Sequence, residues 1–447
     1  MEYRHIYFIG IGGIGMSAIA RYYNAKGYKV SGYDKTPSPL TLALEEEGID
    51  VHYEDNIAYV PQDIESTLVV YTPAIPKDMG ELVHVQEKGY RVIKRSKMLG
   101  EISRGQRCMA VAGTHGKTTT STLVSHLFMA SGEGCSAFLG GISKNYNSNL
   151  LISGNDVVVA EADEFDRSFL QLFPEIAVIT SMDAEHLDIY GDEAHIVEAF
   201  KAFASQVSGT VIARHGLDIT VKDTAAKVMT YSFGDPDADF WAEPLERGHF
   251  NLHWPGGVIE DCVVGIPGWV NVENATAAAA IALTYGLEPA AVKEALASFA
   301  GVKRRFDMQV KTEKCVYIDD YAHHPREISA ALSSIRESYP DMKMTAVFQP
   351  HLYTRTRDFA PEFAQALSGA DKLILLDIYP AREEPIPGVT SEIIFNDVTA
   401  PEKVLLKRAE LMDYLKDEPV ELLVTIGAGD IDRFVGPIGE LLKERHE

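Results

Sequence analysis

Residues 5–34 read HIYFIGIGGIGMSAIARYYNAKGYKVSGYD, and this stretch decides the fold. The apolar run HIYFI reads as a strand, the glycines as a tight turn, MSAIARYYNAKG as a helix and VSGYD as the next strand, ending at Asp34. Further on, TLVVYT and RVIK are again followed by Gly, Pro or Ser and then a helical pattern. Residues 1–104 are therefore expected to form βα repeats around a parallel, doubly wound sheet. A second α/β unit, 105–302, starts at the strand-like CMAVA, passes through DVVVAEA and EIAVITS, and includes an alanine-rich helix over 274–285. Within it, 219–264 reads as a β-rich insertion or sheet edge. A third unit, 303–447, alternates KCVYIDDYAHH, MTAVFQP, KLILLDIYP and ELLVTIGAG with helical stretches and finishes in a solvated helix end, LLKERHE. A chain of 447 residues exceeds one hydrophobic core, so three α/β domains are expected, with linkers near 104 and 302 at which they could close.

With 46% hydrophobic and 24% charged residues the composition is that of a folded globular protein, and no repeat or low-complexity tract interrupts it. The balance of 65 acidic against 41 basic residues gives a formal charge of -24, which repels nucleic acid and anionic lipid and argues against both as partners. An anionic substrate must then meet a local cluster of N–H donors, cations or metal. Cys108, Cys135, Cys262 and Cys315 form no CxxC pair, so neither a zinc knuckle nor a disulfide framework is expected, and a reducing cytosol suits the chain. No stretch approaches the roughly 20 apolar residues of a membrane span, and MEYRHIYFIGIGGIGMS lacks a charged segment followed by a cleavable apolar run. A cytoplasmic location is expected.

Three motifs carry chemistry. In GIGGIG, Gly10, Gly12, Gly13 and Gly15 sit between a strand and a helix, with Asp34 ending the next strand. This is a dinucleotide-type fingerprint, in which glycines let backbone N–H groups approach a pyrophosphate and an acid accepts from a ribose or base donor. Alone it reads most simply as an NAD or FAD site. The second motif is Gly113-Thr114-His115-Gly116-Lys117-Thr118-Thr119-Thr120, again between strand and helix. It departs from the common phosphate loop, since Val111 stands five before Gly116, yet the mechanics survive: N–H groups cradle phosphates, Lys117 neutralises β and γ oxygens, and the Thr118 hydroxyl can ligate Mg²⁺. A nicotinamide enzyme has no use for an ATP loop, so the two motifs together favour ATP plus a nucleotide-linked substrate. The third motif, Glu161-Ala-Asp163-Glu164-Phe-Asp166-Arg-Ser168-Phe169, ends a strand where carboxylates would face the bound phosphates, and Glu161 is placed to supply an oxygen to Mg²⁺. A further strand end carries His186 among carboxylates, a second candidate metal ligand.

GIGGIGMS, AGTHGKTTT, EADEFDRSF, DAEHLDIYG, GVKRRFD, DDYAHHPREI, QPHLYTRT and YPAREEP occur in that order across nearly the whole chain, which on them resembles the Mur ligase family and, within it, the branch that adds L-alanine. The resemblance implies a Rossmann-like UDP domain, a central P-loop-type ATPase domain and a Rossmann-like C-terminal domain for the amino acid. It implies an ATP-dependent ligase of peptidoglycan synthesis joining UDP-N-acetylmuramate to L-alanine through an acyl phosphate, acting as a monomer or homodimer. Carried over by motif, Lys117 contacts the transferred phosphate, Thr118 and Glu161 hold one Mg²⁺, and Glu161 and His186 hold a second. Gly113 to Thr119 cradle the ATP phosphates. Asn271 and Asn274 flank the adenine, although Val270 replaces the usual histidine of that motif. Arg305 contacts phosphate and Asp320 the nucleotide. His323, His351 and Arg355 form the amino-acid pocket, with His323 a candidate base. The glycines at 10, 12, 13 and 15 with Ser17, Asp34, Thr72 and Ser168 form the UDP-substrate set. Lys201 is expected to be an ordinary solvated lysine. The rival readings are a recycling ligase that attaches a whole tripeptide to the same sugar nucleotide, a nicotinamide-dependent reductase with an ATP module, and a nucleotide-binding regulatory module.

Overall fold

The computed structural model describes residues 3–446 apart from 184–189, 191, 221 and 382. The chain divides into two compact units, Met1–Gly265 with Asn271–Ala300, and Ile266–Val270 with Gly301–Glu447.

The first unit contains two sheets. Strands β1 (His5–Ile9), β2 (Lys29–Tyr33), β3 (Asp50–His52), β4 (Thr67–Tyr71) and β5 (Arg91–Lys94) form a wholly parallel sheet in the order β3-β2-β1-β4-β5. In β1 every residue after His5 is buried: Ile6 and Phe8 enter one core, Tyr7 and Ile9 another. That is why a continuous apolar run, without polar alternation, forms a central strand here. The order reverses between β1 and β4, which puts the turn after β1 at the switch point where α/β sheets bind ligands.

The second sheet of this unit takes β6 (Arg107–Ala112), β7 (Ser136–Ser143), β8 (Ser148–Leu151), β9 (Val157–Ala162), β10 (Ile176–Ile179), β11 (Thr210–Arg214), β12 (Lys227–Phe233), β13 (Phe240–Pro244), β14 (Phe250–Trp254) and β15 (Gly257–Cys262). Their order is β15-β14-β13-β12-β11-β10-β6-β9-β7-β8. The β-rich edge expected over 219–264 is β12 to β15, whose last two strands turn antiparallel. The alanine-rich helix begins earlier than its pattern suggested, running Trp269–Tyr285. The two sheets are tied together by the helix Ile14–Ala25, whose Tyr22 meets Phe138 edge-on at 5.2 Å, and by Arg21 donating to Asn149 Oδ1 at 2.6 Å.

The second unit is built on β16 (Asp307–Lys311), β17 (Val316–Asp320), β18 (Met344–Phe348), β19 (Lys372–Leu376), β20 (Glu402–Leu406) and β21 (Leu422–Ile426), ordered β16-β17-β21-β18-β19-β20. All pairs are parallel except β16 with β17. Strands β17, β18, β19 and β21 are buried along their whole length, with Ile318, Phe348 and Val424 in one core and Tyr317, Val347 and Leu423 in the other. Among the described residues no helix is long and apolar enough to cross a membrane.

Candidate active site

Strand β6 delivers the phosphate loop at the middle of the second sheet. Gly113 has φ 136°, and a Cβ there would fall 2.0 Å from Thr180 Oγ1, so no other residue fits. Gly116, in the left-handed region with φ 77°, is the N-cap of the helix Lys117–Ala130 and makes no side-chain cap bond. The helix's first N–H groups are thus left for a ligand at the positive end of its dipole. The loop is held from the end of β10: Thr180 Oγ1 donates to the carbonyls of Ala112 and His115, His115 N–H donates to Ser181 Oγ at 2.8 Å, and Thr114 Oγ1 lies 2.8 Å from Ser181 Oγ. Its shape is therefore set before any phosphate arrives, the condition for electrostatic stabilisation without reorganisation.

Lys117 Nζ donates to Gly113 O at 2.7 Å, Thr114 O at 3.2 Å and Glu164 Oε2 at 2.7 Å. Burial opposes its charge, but Glu164, Asp163 and Glu161 together outweigh that and hold the ammonium above the ordinary lysine value. The register of β6 with β9 sets Glu161 opposite Val111, which brings its carboxylate beside the start of the helix. Thr118 Oγ1 donates to Glu161 Oε1 at 3.1 Å, while Oε2 accepts from Gly140 N–H at 3.1 Å and Ser121 Oγ at 3.4 Å. A carboxylate and a hydroxyl in contact at the mouth of a phosphate loop are the hard oxygen donors that suit Mg²⁺. Asn274, from the helix Trp269–Tyr285, accepts from Thr120 Oγ1 at 3.3 Å, and the buried Asn271 lies one turn earlier.

At the first sheet, Gly12 N–H donates to Asp34 Oδ2 at 2.8 Å, and Gly10 and Ile11 N–H both donate to Tyr33 O. Asp34 thus braces the glycine loop. Gly13 caps the helix Ile14–Ala25 without a side-chain bond, leaving N–H groups exposed to a ligand as at Gly116. Ser17 is fully buried, and its Oγ donates to Ile14 O and accepts from Asn149 Nδ2 at 3.0 Å. Thr72 is half-buried close to Gly10, and Ser168 lines a narrow cleft with Arg95, Glu161 and Asp163.

In the second unit the residues expected around the nucleotide and the amino acid lie just before β16, at Arg305, at the end of β17, and in the segments after β17 and β18. Arg305 lies between two residues in the left-handed region, Arg304 at φ 64° and Phe306 at φ 46°. Its guanidinium sits 4.8 Å from the centre of the Tyr321 ring. Asp320 accepts from Phe306 N–H and Ala322 N–H, each at 2.8 Å, so its carboxylate pins this strained turn. His323 is held below the usual histidine range by burial, with Arg355 and Arg305 adding to the effect against Glu327. Its Nδ1 lies 3.1 Å from Tyr321 O and 3.4 Å from Glu327 Oε2, both acceptors, so Nδ1 carries the hydrogen and Nε2 the lone pair. The His351 ring lies 6.3 Å from that of His323 and stacks on Tyr379.

Three successive stretches match models of one family: 5–107 the "Mur ligase family, catalytic domain", 111–282 the "Mur ligase middle domain" and 304–429 the "Mur ligase, glutamate ligase domain". The chain belongs to the Mur ligase family. It is 51% identical to the UDP-N-acetylmuramate–L-alanine ligase of Parabacteroides distasonis, covering 98% of this chain and 97% of that one. To the enzyme of the same name from Flavobacterium psychrophilum it is 50% identical, covering 99% of both. Among solved structures it superposes on the UDP-N-acetylmuramate–alanine ligase of Thermotoga maritima with a TM-score of 0.83, at 26% identity over 99% of each chain. A murein peptide ligase from Psychrobacter arcticus, at 23% identity over 98% of each chain with a TM-score of 0.73, shares the fold.

In this Mur ligase the residues expected around ATP from Gly113 to Thr119, with Glu161 and Asn274, lie together, and those expected around the amino acid lie together in the other unit. His186 falls outside the described residues. Lys201 forms a partly exposed ion pair with Asp218 at 2.7 Å, as suits an ordinary lysine. Sequence reasoning missed the Mur ligase's own partner for Lys117, Glu164, and the Thr180–Ser181 brace under the loop. Glu164 stood unremarked among five charged residues in seven, and its burial, with 2% of the side chain exposed, is what singles it out. Nor did Arg304 stand apart from Arg305, although the fold ties it to Asp319 Oδ2 at 3.1 Å and Gly427 O at 2.6 Å.

Proposed function

We propose that this Mur ligase joins L-alanine to the carboxylate of UDP-N-acetylmuramate at the expense of ATP; its half-identical, full-length relatives are named UDP-N-acetylmuramate–L-alanine ligase. The observation that carries the chemistry is the half-buried Lys117 ammonium on a preformed phosphate loop, with Thr118 and Glu161 in contact beside it. A carboxylate is a poor electrophile, so it must first be activated. One carboxylate oxygen attacks the γ-phosphorus of ATP, the bond to the bridging oxygen breaks, and an acyl phosphate and ADP result. The neutral amine of alanine then adds to the acyl carbon, loses a proton, and the tetrahedral species expels phosphate to leave the amide.

The chain's part is positioning and charge neutralisation. Lys117 and the N–H groups of 113–119 hold the phosphates, and Asn271 and Asn274 serve the adenine side. Mg²⁺, on Thr118 and Glu161 with His186 a further ligand, would offset phosphate charge when bound. The loop 10–15, with Ser17, Asp34, Thr72 and Ser168, takes the sugar nucleotide. Arg305 and Asp320 serve the nucleotide from the C-terminal part. His323, His351 and Arg355 take the amino acid, with Arg355 facing its carboxylate and the neutral His323 Nε2 able to accept the amine proton. We assign these roles to segments 1–104, 105–302 and 303–447, acting in the cytoplasm as monomer or homodimer.

The test is isotopic. With both carboxylate oxygens of UDP-N-acetylmuramate labelled with ¹⁸O, one label is expected in the released phosphate, because the attacking oxygen leaves on phosphorus. Unlabelled phosphate would sink the acyl-phosphate route. Lys117→Ala is expected to lower kcat by on the order of 100- to 1000-fold while the far-ultraviolet circular dichroism is unchanged; near-normal turnover would remove Lys117 from its role.

A further inference from the structure

Arg95 opens the helix Arg95–Ser103 with 21% of its side chain exposed, so the side chain is largely packed against protein. A guanidinium carries five N–H donors. Among the described residues the polar contact of this one is a single bond, to Asp163 Oδ2 at 3.5 Å, the outer limit of hydrogen-bond range. Arg107 shows what a satisfied arginine looks like here: more exposed, at 39%, it still makes two bonds to Glu175, at 2.8 and 2.6 Å. The better-buried arginine is the worse-partnered one, the reverse of what desolvation cost would select in a residue kept for stability alone.

Its other flank gives the reason. The guanidinium lies against the glycine-rich turn: a Cβ on Gly15 would stand 2.8 Å from Arg95 Nη1. Gly15 is inside the helix Ile14–Ala25 and needs no left-handed backbone, so alanine would be the better helix former there. Glycine at 15 makes room for Arg95. The cation therefore stands beside the uncapped first turn of the helix that follows the loop 10–15, with Ser168 in the same cleft.

We propose that Arg95 is a binding residue for the pyrophosphate of the sugar nucleotide, its free donors completing the anion site that the loop 10–15 begins, with Asp163 as a loose partner until the substrate enters. This rests on the reading that the loop takes the UDP-linked substrate. In titration calorimetry, UDP, which has the pyrophosphate but no muramyl carboxylate, and UDP-N-acetylmuramate are titrated into the full chain and its variants. Arg95→Ala is expected to weaken both ligands by the same factor, about ten-fold or more, with Arg95→Lys between. Binding of a non-hydrolysable ATP analogue should be unchanged, which separates a lost contact from a lost fold. Gly15→Ala is expected to weaken UDP in the wild-type background, by crowding the guanidinium, and to add nothing in the Arg95→Ala background. UDP bound equally by wild type and Arg95→Ala would overturn the proposal, as would a loss confined to UDP-N-acetylmuramate, which would move Arg95 to the carboxylate. Failure of the wild type itself to bind either ligand would overturn the reading of the loop.

Discussion

A methyl group on residue 113 has nowhere to go, since it would meet Thr180 Oγ1 at 2.0 Å in a backbone conformation, φ 136°, that side chains rarely adopt. Gly113→Ala is therefore expected to cost about 2 to 4 kcal/mol or to break the Thr180 brace of the loop. The check is the urea midpoint together with the affinity for an ATP analogue; a variant unchanged in both would show that the loop is not held as described. At this scale Lys117, Thr118 and Glu161 were legible because each stands at a strand–helix junction whose punctuation is local. Arg95 was not, since KRSK reads as an exposed basic cluster until the fold lays one of its side chains on Gly15. Glu164 was hidden for the converse reason, as burial of one carboxylate among several leaves no mark on spacing.

Strands buried on both faces, such as β1, β6, β17 and β18, announce themselves as apolar runs, and all four were read from the sequence. Not every edge strand does. DMQVK of β16 and EKVLL of β20 are half-exposed and polar, and the β7–β8 hairpin of the second sheet was passed over, because pairing in the folded sheet decides these elements more than periodicity does. The central strand β17 also carries a titrating group. Burial pushes the Asp319 carboxyl up from 3.8 to about 6, against the opposing pull of Arg304 and the Thr425 hydroxyl. Because the folded state holds this proton more tightly, the stability it contributes is full below the unfolded value of 3.8 and is lost as pH rises through about 6. From this group the second unit is expected to lose up to about 3 kcal/mol between those pH values and nothing further above them. Denaturation across that range should show the slope in the wild type and a flatter profile in Asp319→Asn; equal slopes would place the proton elsewhere.

Across the whole molecule, composition and motif order conveyed the α/β class and the three-part family pattern, and the division into two compact units came only with the coordinates. Nothing in the residues between β5 and β6 marks how tightly the first two sheets share a core, because that core is assembled from Tyr22, Phe138 and other residues far apart in sequence. Each unit has its own buried clusters, so calorimetry is expected to resolve two transitions, and an ATP analogue at about 100 times its Kd should stabilise the first unit, which carries the phosphate loop, by about 2.7 kcal/mol. One transition shifting as a whole would mean that the units unfold together. The most direct test of the proposed activity is phosphate release from ATP with UDP-N-acetylmuramate and, in turn, L-alanine, D-glutamate and the murein tripeptide. Release that requires both the sugar nucleotide and L-alanine is the expected result; release without either, or faster with the tripeptide, would contradict it.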